Sequence, residues 1–270
     1  MRGMSLQGRF MFHRRSLVAV VIALAFAALP VVTLATHSWG GYHWARTSNP
    51  FTLKLGDNVS SAWDGYLATT SSDWSVSTVL NTTIVAGATR PKNCRPTSGR
   101  VEVCNSRYGN NGWLGLAQIW ITGGTHITQG VVKVNDYYFD TPTYNTPAWR
   151  NLVMCQEVGH TLGLDHQDED FDNPNLGTCM DYTSNPGTNQ HPNNHDYQQL
   201  AAIYAHVDSF TTLDNSAAVA KMPPAMGQIE FETPAQWGKV VKGSRERGFS
   251  VHELDFGGGH KVYTFVTWAR

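Results

Sequence analysis

The stretch Gln156-Glu157-Val158-Gly159-His160-Thr161-Leu162-Gly163-Leu164-Asp165-His166 lies near the middle of the 270-residue chain and decides how the rest is interpreted. Read as a helix, it places Gln156 and His160 on one face, with Glu157 beside them. We expect the helix to stop at Gly163, because glycine tolerates the left-handed conformation that ends a helix. The turn would bring His166 back toward the same point. Two imidazoles, an amide oxygen and an adjacent carboxylate would then converge, nearly the geometry of a zinc site with three protein ligands.

The stretch resembles the metzincin metalloprotease signature H-E-x-x-H-x-x-G-x-x-H. It matches at Glu157, His160, Gly163 and His166, and it departs at the first ligand position, where Gln156 replaces histidine. The resemblance is closest to bacterial matrixin-like proteins. It implies an α+β, zincin-like catalytic domain that has a twisted, mainly parallel sheet with an antiparallel strand at its edge, an active-site helix and a C-terminal helix.

A methionine turn follows the third ligand in this family, and Met180 lies at a fitting distance after His166. Tyr182, two residues later, is similar to the astacin and serralysin branches, where a tyrosine at this place approaches the metal. By the same resemblance, residues 116–121 would be the edge strand against which an extended substrate lies. An exposed edge can pair with a peptide backbone, but an ordinary sheet strand fits these residues equally well.

The resemblance implies a secreted endopeptidase with one catalytic zinc ion held by His160, His166 and Gln156. Glu157 would act as general base, and Tyr182 would donate a hydrogen bond to the developing oxyanion. The substrate would be a protein or peptide, and we expect a monomer.

The glutamine leaves alternatives open, because a neutral amide oxygen is a poorer zinc ligand than an imidazole. His126, His191 or His195 could replace the missing ligand, although none has diagnostic spacing and each also fits a surface position. A second hypothesis is a catalytically inactive, secreted binding protein that keeps the metzincin fold. A third is a structural protein of the cell envelope.

The first 35 residues predict a signal peptide. A basic segment ending at Arg14 and Arg15 precedes an apolar run over residues 16–35. An uncleaved membrane anchor and twin-arginine export remain alternatives. Without these residues the chain has 16 basic and 21 acidic side chains. That balance argues against nucleic acid as a partner, and cleavage would leave no membrane segment.

Four cysteines in an exported chain suggest two disulfides, with three pairings possible. Cys94 and Cys104 bracket a turn-like Pro-Thr-Ser-Gly segment, so we expect them to close a hairpin. Cys155 and Cys179 would then tie the active-site helix to the methionine turn.

Composition divides the mature chain into a catalytic domain over residues 36–215 and a linker with a small β appendage over residues 216–270. The appendage is predicted to hold strands at residues 238–241, 249–254 and 261–268. Thr146 and Pro147 predict the start of the active-site helix. Residues 165–172 contain five acidic side chains, which fit a solvated loop better than a calcium site.

Overall fold

A computed structural model describes residues 37–213, 222–228 and 231–270. The predicted signal peptide, the first residue and last two residues of the predicted catalytic domain, and residues 216–221 and 229–230 of the predicted linker and appendage lie outside these ranges. Nine strands and five helices are described, and none of these helices is long and apolar enough to cross a membrane. The strands are β1 (His43–Trp44), β2 (Phe51–Asn58), β3 (Leu80–Ala86), β4 (Arg100–Ser106), β5 (Trp113–Thr122), β6 (His126–Asn135), β7 (Lys239–Ser244), β8 (Phe249–Asp255) and β9 (Lys261–Trp268). The helices are α1 (Asp64–Trp74), α2 (Asp136–Phe139), α3 (Pro147–Thr161), α4 (Asn194–Ile203) and α5 (Pro224–Gln228).

All nine strands belong to one sheet in the order β3-β2-β4-β6-β5-β9-β8-β7, and β1 pairs with the start of β6. The pairings from β3 across to β6 are parallel, and those from β6 across to β7 are antiparallel. The predicted α+β class, with parallel strands and few helices, is therefore confirmed.

Of the two positions that the sequence left open for residues 116–121, the sheet edge is wrong and the ordinary sheet strand is confirmed. These residues lie within β5, which pairs with β6 on one side and with β9 on the other. The sequence shows that this stretch is a strand, but its neighbours are set by which distant segment docks against it. Here the last strand of the chain docks against it.

The three strands predicted for the C-terminal appendage are β7, β8 and β9, and they extend the main sheet instead of forming a separate sheet. β7 with β8 and β8 with β9 pair as neighbours in sequence. Their attachment to the main sheet is the non-local pairing of β9 with β5, which local pattern does not show. The division of the chain at residues 215 and 216 stays a prediction.

Apolar side chains cover both faces of the sheet. The larger core contains α1, α3 and α4, with Trp44, Trp74 and Leu152 among its fully buried members. The other face carries a smaller core, in which Trp237 and Phe231 from the C-terminal region pack against β5 and β9. The C-terminal strands are therefore held by burial on both faces as well as by backbone pairing.

The active-site helix α3 has the ends that its sequence predicts. Thr146 is the N-cap and accepts a hydrogen bond from the Trp149 backbone N–H at 3.3 Å, with Pro147 at the first helical position. Gly163 follows the helix with φ +95°. A Cβ there would lie 2.2 Å from the backbone oxygen of Tyr42, so both conformation and space require glycine.

Two disulfides connect the described cysteines, Cys94 with Cys104 and Cys155 with Cys179. The second joins α3 to the segment that contains the methionine turn. It therefore fixes, covalently, the two parts of the chain that carry the candidate site.

Candidate active site

His160 and His166 meet at the C-terminal end of α3, with ring centroids 4.5 Å apart and planes nearly perpendicular. The Nδ1 atom of His160 lies 2.9 Å from the carbonyl oxygen of Leu164. Because a carbonyl can only accept, Nδ1 carries the hydrogen, and the lone pair of the neutral ring is on Nε2. Burial lowers the pKa of His160 well below its ordinary value, and the neighbouring His166 lowers it further.

Five buried side-chain atoms at this site have no hydrogen-bond partner among the described residues. They are His160 Nε2, both ring nitrogens of His166, Gln156 Nε2 and Glu157 Oε2. Buried polar atoms are normally paired, because desolvation without a compensating bond is costly. Imidazole nitrogens of two histidines, an amide and a carboxylate left unpaired together are the pattern expected of a metal site.

Thr267 on β9 connects the amide and the carboxylate. Its Oγ1 atom lies 2.9 Å from Gln156 Oε1 and 2.8 Å from Glu157 Oε1. One hydroxyl hydrogen cannot serve two acceptors, so one of these contacts needs a second donor. Rotating the Gln156 amide by half a turn supplies it, since the NH₂ group then donates to Thr267 and the hydroxyl donates to Glu157.

The same rotation exchanges the two ends of the Gln156 amide. The amide oxygen then occupies the unpaired position that the nitrogen otherwise holds, and oxygen is the amide atom that binds zinc. Amide oxygen and nitrogen are assigned from the hydrogen-bond network, and the rotated orientation satisfies both contacts of Thr267.

Glu157 is fully buried, and burial raises its pKa to about 8, while the hydrogen bond with Thr267 opposes that rise. The backbone of β5 passes close to it, because a Cβ on Gly115 would lie 3.0 Å from Glu157 Oε1. A carboxyl group with a pKa near neutrality can both take and release a proton at physiological pH.

Tyr182 lies against the His166 ring, with centroids 4.1 Å apart, and its hydroxyl bonds to the side chain of Thr267. Burial and then the charge of Glu157 raise the pKa of Tyr182 well above its ordinary value. The phenol therefore keeps its proton and acts as a hydrogen-bond donor.

Met180 packs beneath α3 at Gly159. A Cβ on Gly159 would lie 2.5 Å from Met180 Sδ and 2.8 Å from a ring atom of Trp74. The methionine turn thus has direct contact with the helix that carries His160, and glycine at position 159 makes that contact possible.

The C-terminal strands cover the site. The ring of Phe265 on β9 is stacked on His160, with centroids 4.4 Å apart and planes within 9°. Phe249 on β8 stacks on Tyr182 at 4.8 Å. Together with Thr267, these side chains leave the histidines almost inaccessible, His160 at 1% and His166 at 5% exposure.

Sequence reasoning assigned no role to Thr267, Phe265 or Phe249. Alternation along residues 261–268 puts Tyr263, Phe265 and Thr267 on one face of a strand. That alternation does not say what the face covers, because the partner lies about a hundred residues away in the sequence.

The other histidines considered as replacement ligands lie elsewhere. His191 bonds to Asp73 at 2.7 Å near the surface, and His195 stacks on His37. His126 belongs to a separate group with His43 and Asp208. These three histidines do not lie at the candidate site, because the elements that carry them end in other parts of the molecule.

The acidic loop over residues 165–172 is engaged by cations of the C-terminal strands. Lys242 on β7 lies 2.6 Å from Asp165 Oδ2 and 2.5 Å from Glu169 Oε1. Asp165, His166 and Glu169 also have the spacing of a metal-ligand group, but Lys242 already neutralises its two carboxylates. Calcium binding at this loop stays untested.

A mainly apolar cleft of about 120 Å³ adjoins the site. Its wall includes Gln156, Tyr182 and Thr267, and its apolar lining includes Leu114, Leu152 and Trp149. The cleft is large enough for one medium-sized apolar side chain next to the unpaired atoms.

No protein-family model matches the chain, and no curated protein matches its sequence. Among solved structures, similarity extends to myroilysin, with 10% identity and a TM-score of 0.33 over 60% of this chain and 86% of that one. It extends also to high choriolytic enzyme 1, a hatching-enzyme zinc protease from the medaka fish Oryzias latipes. There the identity is 12% and the TM-score 0.32, over 60% of this chain and 94% of that one. TM-scores of this size carry no inference about family or activity, so the argument for function depends on the residues themselves.

Proposed function

We propose that the chain is a secreted, zinc-dependent endopeptidase of the metzincin type, in which His160, His166 and Gln156 hold the metal. The observation that carries this proposal is the cluster of unpaired buried atoms on these three side chains and on Glu157. The two disulfides support export, because such bonds persist in oxidising compartments.

The donor set fits zinc. Neutral imidazole nitrogens and a side-chain oxygen are ligands that zinc accepts, and a catalytic site needs three of them. A zinc ion bound there supplies a water of lowered pKa and polarises a substrate carbonyl. Hydrogen bonding of His160 Nδ1 to Leu164 fixes the ring orientation that a ligand needs.

The side chains of the protein itself transfer the proton, bind the carbonyl oxygen and hold the substrate. Glu157 takes a proton at its unpaired Oε2 atom and passes it to the leaving amine. Tyr182 donates its hydroxyl hydrogen to the oxygen of the reacting carbonyl once Thr267 has moved away. The apolar cleft next to Gln156 accepts a substrate side chain, and the buried surroundings exclude bulk water.

A second candidate is the secreted, catalytically inactive binding protein. The observation that favours it is that β9 fills the space beside β5 and places Phe265 on His160. Gln156 also favours this candidate, because an amide contributes less to zinc affinity than an imidazole does.

Metal content and hydrolysis of casein by the purified mature chain separate the two candidates. We expect one bound zinc ion that is lost in His160→Ala and kept in the control His191→Ala, whose side chain lies outside the site. Glu157→Gln should abolish hydrolysis while keeping zinc, and Glu232→Gln on the surface should change neither.

Gln156→His tests the unusual ligand. If the amide oxygen binds the metal, this variant should hold zinc more tightly and keep or raise the hydrolysis rate. Wild-type protein that binds zinc at neither histidine and cleaves nothing would establish the inactive binding protein instead.

A further inference from the structure

A second group of histidines lies away from the candidate active site. His43 on β1, His126 at the start of β6 and Asp208 after α4 bring one ligand atom each to within 4.8 Å of one another. His206 joins them, since its Nε2 atom is 3.1 Å from His43 Nε2. None of these residues belongs to the stretch that carries the metzincin resemblance.

Four distances within the group are close to those between ligands of one tetrahedral ion, whereas only His43, His126 and Asp208 have ligand atoms that all lie within 4.8 Å of one another. Zinc–nitrogen and zinc–oxygen bonds of about 2.0 Å place neighbouring ligand atoms about 3.3 Å apart at the tetrahedral angle. Asp208 Oδ1 lies 3.2 Å from His126 Nε2, 3.7 Å from His43 Nε2 and 3.8 Å from His206 Nε2. With the pair of imidazoles at 3.1 Å, these separations bracket that value.

The surrounding bonds orient the ligand atoms inward. His43 Nδ1 lies 2.8 Å from the carbonyl oxygen of Gly41, so it carries the hydrogen and leaves the lone pair on Nε2. Arg46 binds the other carboxylate oxygen of Asp208, through its guanidinium at 3.1 Å and its backbone N–H at 3.2 Å. Asp208 Oδ1 therefore remains for the imidazoles, the kind of support that oriented metal ligands normally receive.

In hydrogen bonds alone, His126 Nε2 donates to Asp208 Oδ1 and His206 Nε2 donates to His43 Nε2. His43 Nε2 and Asp208 Oδ1 are then two acceptors 3.7 Å apart. A cation bound by His43, His126 and Asp208 would replace these hydrogen bonds and attract both acceptors.

We propose that His43, His126 and Asp208, with His206 next to His43, bind a structural zinc ion. Imidazoles combined with one carboxylate select zinc over calcium, which requires oxygen ligands. The ion would join three separate segments, namely the N-terminal strand β1, the start of β6 and the loop after α4. Hydrogen bonds between Ala45 and Thr212 connect two of these segments already, so the ion completes an existing contact.

Zinc content of the purified chain tests this site with zinc itself as the probe. Wild type should hold about two ions per chain, His126→Ala about one, and the double variant His160→Ala/His166→Ala about one. Asp208→Asn keeps the size of the side chain, and it should lose the same ion if His126→Ala folds poorly. His191→Ala is the control and should keep both ions.

Cobalt substitution provides a spectroscopic measurement that does not depend on activity. Cobalt bound to the double variant should give the visible absorption of a tetrahedral ion, and that absorption should disappear when Asp208→Asn is added. The second site would be overturned if neither His126→Ala nor Asp208→Asn changed the zinc or cobalt content of the protein. One ion lost in Asp208→Asn but kept in the double variant would instead uphold it and refute the catalytic site.

The pairing of β9 with β5 carries an independent inference. The two strands are antiparallel along their whole length, from Trp113 opposite Trp268 to Ile121 opposite Lys261. An extended peptide adding to the edge of β5 would need these same backbone positions. Phe265 and Thr267 then contact the side chains proposed to act in catalysis.

We infer, on the basis of the proposed function, that β7 to β9 form an inhibitory segment that must leave β5 before a substrate binds. The ion pairs of Lys242 with Asp165 and Glu169 hold the segment against the loop that follows His166. Release would uncover both the β5 edge and the histidines in one movement.

A labelled peptide with the sequence of residues 261–268 tests this inference on the full-length chain. Phe265→Ala and the milder Lys242→Ala should bind the peptide at least tenfold more tightly than wild type, because β9 is then held less firmly against β5. Val240→Ala, an exposed residue of β7, is the control and should leave the affinity unchanged.

Hydrolysis measured on the same proteins separates this inference from the proposed function. Tighter peptide binding with faster casein hydrolysis supports both. Tighter peptide binding without hydrolysis in any variant upholds the inhibitory segment and refutes the peptidase. Unchanged peptide affinity in both variants overturns the inhibitory segment.

Discussion

Gly163→Ala should reduce the stability of the protein more than an ordinary glycine substitution does. The residue has φ +95°, and a non-glycine residue in left-handed conformations costs about 1–2 kcal/mol. The added Cβ would also lie 2.2 Å from the backbone oxygen of Tyr42. Backbone cannot move aside as a flexible side chain does, so overpacking adds about 1–3 kcal/mol. We expect the free energy of unfolding to fall by about 2–5 kcal/mol in total.

Gly109→Ala is the matched control for this substitution. Gly109 has φ +99°, nearly the same conformation, but nothing lies within 4 Å of the position its Cβ would take. It should show the conformational cost alone, about 1–2 kcal/mol. The difference between the two variants therefore measures the contact with Tyr42.

Urea unfolding with both disulfides intact is the appropriate assay. The comparison is valid if the free energy of unfolding falls equally steeply with urea concentration in the two variants. Zinc content measured alongside should fall in Gly163→Ala only, because the turn at Gly163 sets the position of His166 relative to His160. Equal loss of stability in the two variants would refute the reasoning that close packing on Tyr42, in addition to conformation, requires glycine at position 163.

Three further predictions concern residues away from this turn. Burial lowers the pKa of Lys133 to about 8. The unfolded chain therefore binds more protons than the folded one between about pH 8 and 10.5, and stability should rise with pH over that range. Lys133→Met should be more stable than wild type by about 3 kcal/mol at pH 7, and a stability gain that does not shrink toward pH 10.5 would contradict this. Non-reducing peptide mapping should recover Cys155 linked to Cys179, and any other partner for either cysteine would refute the arrangement. Thr146→Ala should lower stability by about 1 kcal/mol through loss of the helix cap, with the exposed Thr143→Ala as control, and equal effects in a thermal melt would show that the cap contributes nothing.

Much of the fold was predictable from local features. Thr146 and Pro147 indicate where α3 begins, and Gly163 indicates where it ends. Alternating apolar residues indicate the strands near residues 116–121 and 261–268. These features are readable because capping, left-handed turns and strand alternation each depend on residues close together in the sequence.

The neighbours of each strand were not predictable. The sequence left open whether residues 116–121 form an edge, and they do not, because β9, from the far end of the chain, completes that side of the sheet. Strand pairing is set by backbone hydrogen bonds that are the same for every residue type, together with burial of both faces. A segment with ordinary alternation of apolar and polar residues therefore does not indicate which strand it pairs with.

The sequence by itself determined which chemistry is present at the candidate active site, namely Glu157, His160 and His166 at fixed spacing, with Gln156 one helical turn before His160. Helix geometry and one glycine turn suffice to bring them together. Only the tertiary structure decided what surrounds them, since Thr267 and Phe265 reach the site across the sheet. It also determined the position of His126, which lies beside His43 and Asp208 because three chain segments, distant in sequence, meet at the start of β6. Residues close in sequence have their geometry fixed by local bonding, whereas residues brought together by packing depend on the whole core.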